Sequence, residues 1–291
     1  MLFVSDLRIG CSGWSYSDPS EKGGWVGVFY PNKSIKRLPY YSQFFNTAEF
    51  DSIYYEKFYS KMGRATFEGM ANSTPDNFQF SIKVPEIITR TKKLSIAEGA
   101  FSVFEEFLER ISPLKKANKL GAILFQMSPN FTVDDFRNAE AFLDKLPRGY
   151  DHALEFRHAS WQTEGALELL KHYNIASVMT DSPDSKLQYL SEPIVTTDHA
   201  LIRVHGRKQG HWYNYLYSKQ ELRPWVKKVD DIRKKCRILR IYFNNHYGGR
   251  AIVNALQFKE MTSKLTVKEK EGLAKAEAYL TGKTGLQQWL G

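Results

Sequence analysis

Cysteine is scarce in this chain: Cys11 and Cys236 are the only two among 291 residues. No Cys/His spacing of the kind that holds zinc or an iron–sulfur cluster occurs. A secreted chain of this length usually carries more disulfides, so a reducing compartment is expected. Apolar runs such as LGAILFQM, residues 120–127, stop far short of the roughly 20 residues that cross a bilayer. The first residues, MLFVSDLRIGCSGW, have no basic start, no long apolar stretch and no small-residue cleavage site, and the expectation is a cytoplasmic protein. Low-complexity segments are missing too, which argues against disorder. Two motifs fail on inspection. LTGKTG resembles half of a P-loop, but Glu277 stands where its first glycine belongs, and in GCSGW Ser12 lies one place off a nucleophile elbow.

What is present suits a large folded core, with 42% hydrophobic and 14% aromatic residues. The net charge of +9 attracts anionic metabolites or polyanions. In segments such as WVKKVDDIRKK, however, lysines alternate with acids as on a solvated face, and no nucleic-acid module signature accompanies them.

Eight short runs rich in β-branched and aromatic residues recur along the chain: LRIGCS, NTAEFDS, FQFSIKV, LGAILFQM, HALEFR, IASVMTD, ALIRVHG and RILRIYFNN. Helical patterns lie between them. Phe101, Phe104, Leu108 and Ile111 keep helical spacing after the third, and Leu222, Trp225, Val229, Ile232 and Cys236 after the seventh, where Ser218 and Glu221 fit a capping box. Eight strand–helix units without a linker predict a single (β/α)8 TIM barrel spanning 1–291, with its core at about 7–262 and a C-terminal helical extension at 263–291. SPDSKLQYLSEPIVTTDH has prolines and no sustained apolar period, so the sixth connection is expected to have a short helix or none. Cys11 would close the first strand and Cys236 precede the last, which keeps them apart and unbonded.

In such barrels the site forms at the carboxyl ends of the strands. Those ends bring Glu49 and Asp51, Lys83, Gln126, Glu155 and Arg157, Asp181, Arg203 and His205, then Asn244, Asn245 and His246. Alternation places Glu49 with Asp51, Glu155 with Arg157, Arg203 with His205 and Tyr242 with Asn244 on shared faces, directed to the barrel axis. Such charge is costly to bury unless paired or used. The bland alternative is a structural plug in which Glu155 neutralises Arg157 or Arg203 and Glu49 neutralises Lys83. Glu155 is the candidate general base, Lys83 an electrophilic or Schiff-base candidate, and His205 and Glu49 join them as catalytic candidates. Arg203, Asn244 and Asn245 would hold substrate oxygens, and Arg157, His246, Gln126 and Asp181 would complete the polar floor. Trp14, Trp161 and Tyr213, from aromatic-rich loops, are candidate walls. Gly248 and Gly249 in NNHYGGRA would turn backbone amides toward an anion, or simply make a tight turn. Glu49, Glu155, Asp181, His205 and His246 offer ligand types for a divalent ion, but Lys83, Arg157 and Arg203 would repel it, so no metal or other cofactor is expected.

The chain resembles the YecE-like family, domain of unknown function 72, through GCSGWSY, FYP, YYSQFFNTAEFDSIYY, TPDNFQFSIKVP, LGAILFQMSPNF, ALEFRHASW, LIRVHGR and YFNNHYGGRAIVNAL in that order. The resemblance implies a (β/α)8 barrel and no established reaction. Two positions depart from its pattern: Cys11 stands where a small hydroxyl residue is usual, and Arg90 follows Thr89 where a histidine is usual.

The leading expectation is an enzyme using hydrolase- or lyase-type acid–base chemistry on a small phosphorylated or carboxylated substrate. The alternatives are a nucleic-acid-binding barrel, with a metal-dependent phosphodiesterase or endonuclease as its catalytic version, and a non-catalytic metabolite binder. The sequence leaves the oligomeric state open.

Overall fold

A computed structural model describes residues 5–182, 184–208 and 210–282. All eight expected strands form: β1 (Asp6–Cys11), β2 (Thr47–Phe50), β3 (Gln79–Lys83), β4 (Leu120–Gln126), β5 (Asp151–Glu155), β6 (Ala176–Asp181), β7 (His199–Val204) and β8 (Ile238–Phe243). They make one parallel sheet in the order β1-β8-β7-β6-β5-β4-β3-β2. Helices α1 (Arg37–Tyr41), α2 (Glu56–Tyr59), α3 (Arg64–Asn72), α4 (Ala100–Lys116), α5 (Phe136–Asp144), α6 (Glu164–His172), α7 (Lys219–Arg233) and α8 (Arg250–Thr262) follow the strands in turn. Residues Ser185–Ser191 form only a 3-10 segment after β6, so the short sixth connection is as expected. Helix α7 starts on the Ser218–Glu221 capping box. Of the C-terminal extension, α9 (Val267–Leu280) packs beside α8; residues 283–291, which include most of GKTG, lie outside the described residues.

The ring closes between β1 and β2 without a full ladder. A bridge pairs Ser12 with Glu49, and the Gly13 N–H donates to the Glu49 carbonyl at 2.7 Å. Below it, the Tyr41 hydroxyl accepts from the Cys11 N–H at 2.8 Å and donates to the Thr47 carbonyl at 3.0 Å, standing in for a strand-to-strand bond. Gly10 is required there, since a Cβ would meet the Thr47 carbonyl oxygen at 2.2 Å. Cys11 and Cys236 are both buried and free.

Outward residues of the strands join the helices in the main core, where Phe104, Phe125 and Phe142 meet at 5.3–5.7 Å. The barrel interior is layered. At its amino-terminal end Arg240 donates to Asp151 at 2.9 Å and to Gln79 at 3.0 Å. The middle holds Ala122, Leu124, Ala153, Ala176, Val178 and Leu201 around the Tyr242 ring. The Tyr242 hydroxyl is within 2.8 Å of Thr47 Oγ1 and 2.7 Å of Ser81 Oγ. Because both partners keep another bond, to the Gln79 carbonyl and from the Ala122 N–H, Tyr242→Phe is expected to cost about 1–2 kcal/mol. Urea denaturation checks this, and an unchanged midpoint would show that the hydroxyl is dispensable.

Candidate functional site

The carboxyl-terminal layer of the barrel is a charge network fixed by strand alternation. Arg203 on β7 donates from Nε and Nη2 to the two oxygens of Glu49 on β2, at 2.8 and 2.7 Å. Its Nη1 donates to Glu155 Oε2 on β5 at 2.8 Å. All three side chains are 2% exposed or less. Burial opposes the charge on Arg203, and the two carboxylates more than reverse this and raise its pKa. The bland pairing of Glu155 with Arg203 therefore forms. Glu49 pairs with Arg203, not Lys83.

Glu155 Oε1 is equally occupied: Gln126 Nε2 donates to it at 2.7 Å and Arg157 Nη1 at 3.4 Å, and His205 Nε2 lies at 3.7 Å. Burial alone would raise the Glu155 pKa, but Arg203, His205 and Arg157 hold it well below the ordinary carboxylate range. This argues against Glu155 as the general base that the sequence suggests, because Arg157 is joined at the carboxylate by a fully buried Arg203. Burial and the Arg203 charge push His205 down to about 4, so its imidazole is neutral at neutral pH. Its Nδ1 lies 3.0 Å from Asn244 Nδ2.

Lys83 ends β3 and is 7% exposed. It has no carboxylate within ion-pair distance among the described residues. Its Nζ donates to Gln126 Oε1 at 2.7 Å and sits 3.5 Å from the centre of the Tyr54 ring. Burial first, then Arg203, pull its pKa down to about 8, against the more distant pull of Asp51, Glu155 and Glu49. Gln126 is thus a relay whose carbonyl takes Lys83 while its amide gives to Glu155.

Toward solvent the network is covered by Arg157, whose guanidinium lies 5.3 Å from the Trp212 ring, and by Trp212 itself, 5.0 Å from His205. Among the described residues, three buried polar atoms of this layer have no protein partner: Ser12 Oγ, Thr180 Oγ1 and Arg157 Nε.

Several expected site residues are placed elsewhere. Asp181 is the last residue of β6, and neighbouring Val178 belongs to the interior cluster, so alternation turns Asp181 outward. There it holds Arg207 at 3.1 Å. Asp51 takes a helical conformation (φ −103°, ψ −20°), which ends the alternation it was expected to share with Glu49. Asn245 is fully buried and donates to the Tyr215 carbonyl and to Asn254 Oδ1, both at 2.8 Å, so it anchors the seventh loop and does not face the site. Trp14 packs on Phe50 and Phe80 from the outward strand faces, with ring centres at 5.2 and 5.5 Å. Trp161 stacks on Phe156 at 4.1 Å and lines a side cavity of about 330 Å³ under the sixth connection. Both are loop anchors. Tyr213 stacks face to face on His246 at 5.3 Å, and Tyr16 covers the other face at 4.9 Å. Burial pushes His246 down to about 4, and its Nδ1 has no partner among the described residues.

The glycine turn does not offer its amides to an anion. The Gly248 N–H donates to the Gly23 carbonyl at 3.1 Å and that of Gly249 to the His246 carbonyl at 3.2 Å. Both glycines have positive φ, and a Cβ on Gly249 would strike Val28 at 2.4 Å. Their turn ties the last loop to the first. Arg90 is exposed and pairs with Glu86 at 3.5 Å. No group of three His, Cys, Asp or Glu side chains is arranged to hold a metal among the described residues. Nor, among them, is any helix long and apolar enough to cross a membrane.

Sequence reasoning missed Tyr54 and Trp212. Each neighbours another aromatic, Tyr55 and Tyr213, and which ring of a loop pair turns inward depends on loop conformation that no periodicity encodes.

Comparison with known proteins gives a consistent result. Residues 8–277 match the family model DUF72, described as a protein of unknown function. The chain is 29% identical over 278 residues to the UPF0759 protein YunF of Bacillus subtilis, which covers 88% of this chain and 94% of that one. It is 27% identical over 162 residues to the UPF0759 protein YecE of Escherichia coli, covering 56% and 52% respectively. Among solved structures, a DUF72 family protein from Thermotoga maritima superposes with a TM-score of 0.72 at 31% identity, covering 88% of this chain and 98% of its own. One from Enterococcus faecalis gives 0.71 at 23% identity, covering 88% and 97%, a likeness of fold.

Proposed function

The chain belongs to the DUF72 family, and because that membership brings a fold without a reaction, we propose its function from the barrel's own side chains: an enzyme that binds a small carboxylated or phosphorylated compound over the carboxyl-terminal layer and moves protons through Lys83. The observation that carries this reading is the division of charge. Glu49 and Glu155 are consumed by Arg203, while Lys83, the last residue of β3, has only a neutral amide and a ring beside it. A plug would pair its cations. Here one nearly buried cation lacks a carboxylate within ion-pair distance, and a second, Arg157, keeps a buried unpartnered N–H. Both suit an incoming anion.

Roles follow from these positions. Arg157 receives the anionic group, and Asn244 steadies neutral His205. Lys83, at about 8, exchanges between ammonium and amine near physiological pH. Glu155 and Glu49 act by holding Arg203, and Glu155 also holds the lysine through Gln126. No step requires a metal or an organic cofactor.

The test is thermal stabilisation of the full chain by a panel of small carboxylates and phosphates, repeated with Arg157→Met. At least one anion is expected to raise the melting temperature, and Arg157→Met to weaken its binding by about 10–100-fold, the worth of a charged hydrogen bond. Stabilisation by none of them at millimolar concentration would overturn the reading. Salt-sensitive binding of single-stranded DNA, undiminished in Arg157→Met, would instead favour the nucleic-acid alternative.

A further inference from the structure

We infer that Lys83 is a nucleophile that forms a Schiff base with a carbonyl compound carrying an acidic group, a 2-oxo carboxylate being the class that fits. The inference rests on the anion-binding reading above and adds the covalent step to it.

The geometry around Nζ argues for bond formation over simple charge pairing. An ammonium meant only to attract an anion is best left strongly basic. Lys83 is instead desolvated at 7% exposure, close to the Arg203 charge, and denied a direct carboxylate. These conditions expose the amine lone pair. The Gln126 carbonyl, 2.7 Å from Nζ, and the Tyr54 face, 3.5 Å away, hold a cationic nitrogen bearing at least one N–H. An iminium meets that description as well as an ammonium does, so the same two groups serve before and after the bond forms. Surface lysines such as Lys171 with Glu168 and Lys234 with Asp231 instead have a carboxylate within ion-pair distance.

The chemistry balances without an oxidant or reductant. The Lys83 amine attacks the carbonyl carbon, and the carbon–oxygen π pair moves to oxygen, which takes up a proton. The carbinolamine nitrogen gives up one proton and the hydroxyl takes one, so that water leaves as the nitrogen lone pair forms the C=N bond. Counted from ammonium and ketone, the products are iminium and water with no net proton. Arg157, which shares Glu155 Oε1 with the Gln126 amide and keeps a buried N–H without a partner among the described residues, is the cation assigned to the carboxylate on the adjacent carbon.

The experiment incubates the full-length protein with pyruvate near pH 7 in the presence of sodium cyanoborohydride and maps the reduced adduct by peptide mass spectrometry. At that pH a lysine near 8 has over a hundredfold more free amine than one near 10.5. Labelling is therefore expected to concentrate on Lys83, enriched at least about tenfold over any exposed lysine even after its lower intrinsic nucleophilicity. Lys83→Arg, which keeps the cation and the fold as checked by circular dichroism, is expected to lose it. Labelling spread over exposed lysines, or unchanged in Lys83→Arg, overturns the inference. Lactate, which has no carbonyl, separates the two readings. If pyruvate and lactate both stabilise the protein through Arg157 and no Lys83 adduct forms, the covalent step fails and anion binding stands. If the adduct forms but neither compound stabilises the protein, the lysine assignment stands and the anion contact fails.

Discussion

Arg203→Met is expected to destabilise the protein by about 3–5 kcal/mol, because removing one partner of a buried pair strands the other's charge. In a chain of this size that amounts to a fall of about 5–8 °C in melting temperature. Two carboxylates, Glu49 and Glu155, would be left facing each other inside the barrel. The pH dependence identifies the cause. In the native protein Glu155 is held well below its ordinary value of 4.5, so its contribution is present above the unfolded pKa and is lost as acid protonates it through the lower folded one. Without Arg203 the sign inverts. The stranded pair favours taking up a proton, which adds stability at low pH that is lost as pH rises. Urea denaturation at pH 5 and pH 7 is therefore expected to show the variant's deficit shrinking at pH 5. A deficit of equal size at both values would mean that the loss is one of packing and not of unpaired charge.

Asn254→Leu is the second large effect. Asn254 is fully buried on α8; it accepts from the Tyr217 N–H at 3.0 Å and from Asn245 at 2.8 Å, and donates to the Tyr217 carbonyl at 2.8 Å. Leucine fills the space but leaves these groups unpartnered, at about 1–3 kcal/mol for each that water cannot reach. A total of about 2–4 kcal/mol is expected, since loop relaxation rescues some of them. The loss is local in its consequence. Asn245 and Tyr217 tie down the loop that carries Trp212 over His205, so limited proteolysis is expected to cut within residues 206–217 of the variant well before the native chain. Resistance equal to that of the native protein would show that other contacts fix the loop.

The barrel was readable in the sequence because periodicity encodes it. Each strand is a short apolar run followed by an amphipathic stretch, and the one irregular connection announced itself through prolines and a lost period. The ends of strands were less readable. Structured pairing stops at Phe50, Glu155, Val204 and Phe243, one or two residues before the apolar-polar pattern does. Alternation still places Glu49, Glu155 and Arg203 correctly and, carried along β6 from Val178, sends Asp181 outward, but it fails at Asp51, where the backbone turns helical. Asn244 and Asn245 show the limit most plainly. They are adjacent and chemically identical, yet one meets His205 in the site and the other anchors a loop. Which partner each carboxylate chooses is also invisible to spacing, because Arg203 reaches Glu49 only once the ring brings β2 opposite β7.

That reach has a consequence for how the chain assembles. Arg203 joins Glu49 across 154 residues and Glu155 across 48. A chain growing from its amino terminus displays both acids long before their shared cation exists. Until β7 inserts, each carboxylate keeps its hydration shell on the concave face of an open sheet. An unfinished sheet with inward-pointing charge is a poor template for another strand. The network that neutralises itself in the finished ring is thus, before β7 joins, a pair of inward-pointing charges of the kind that guards an open sheet against association.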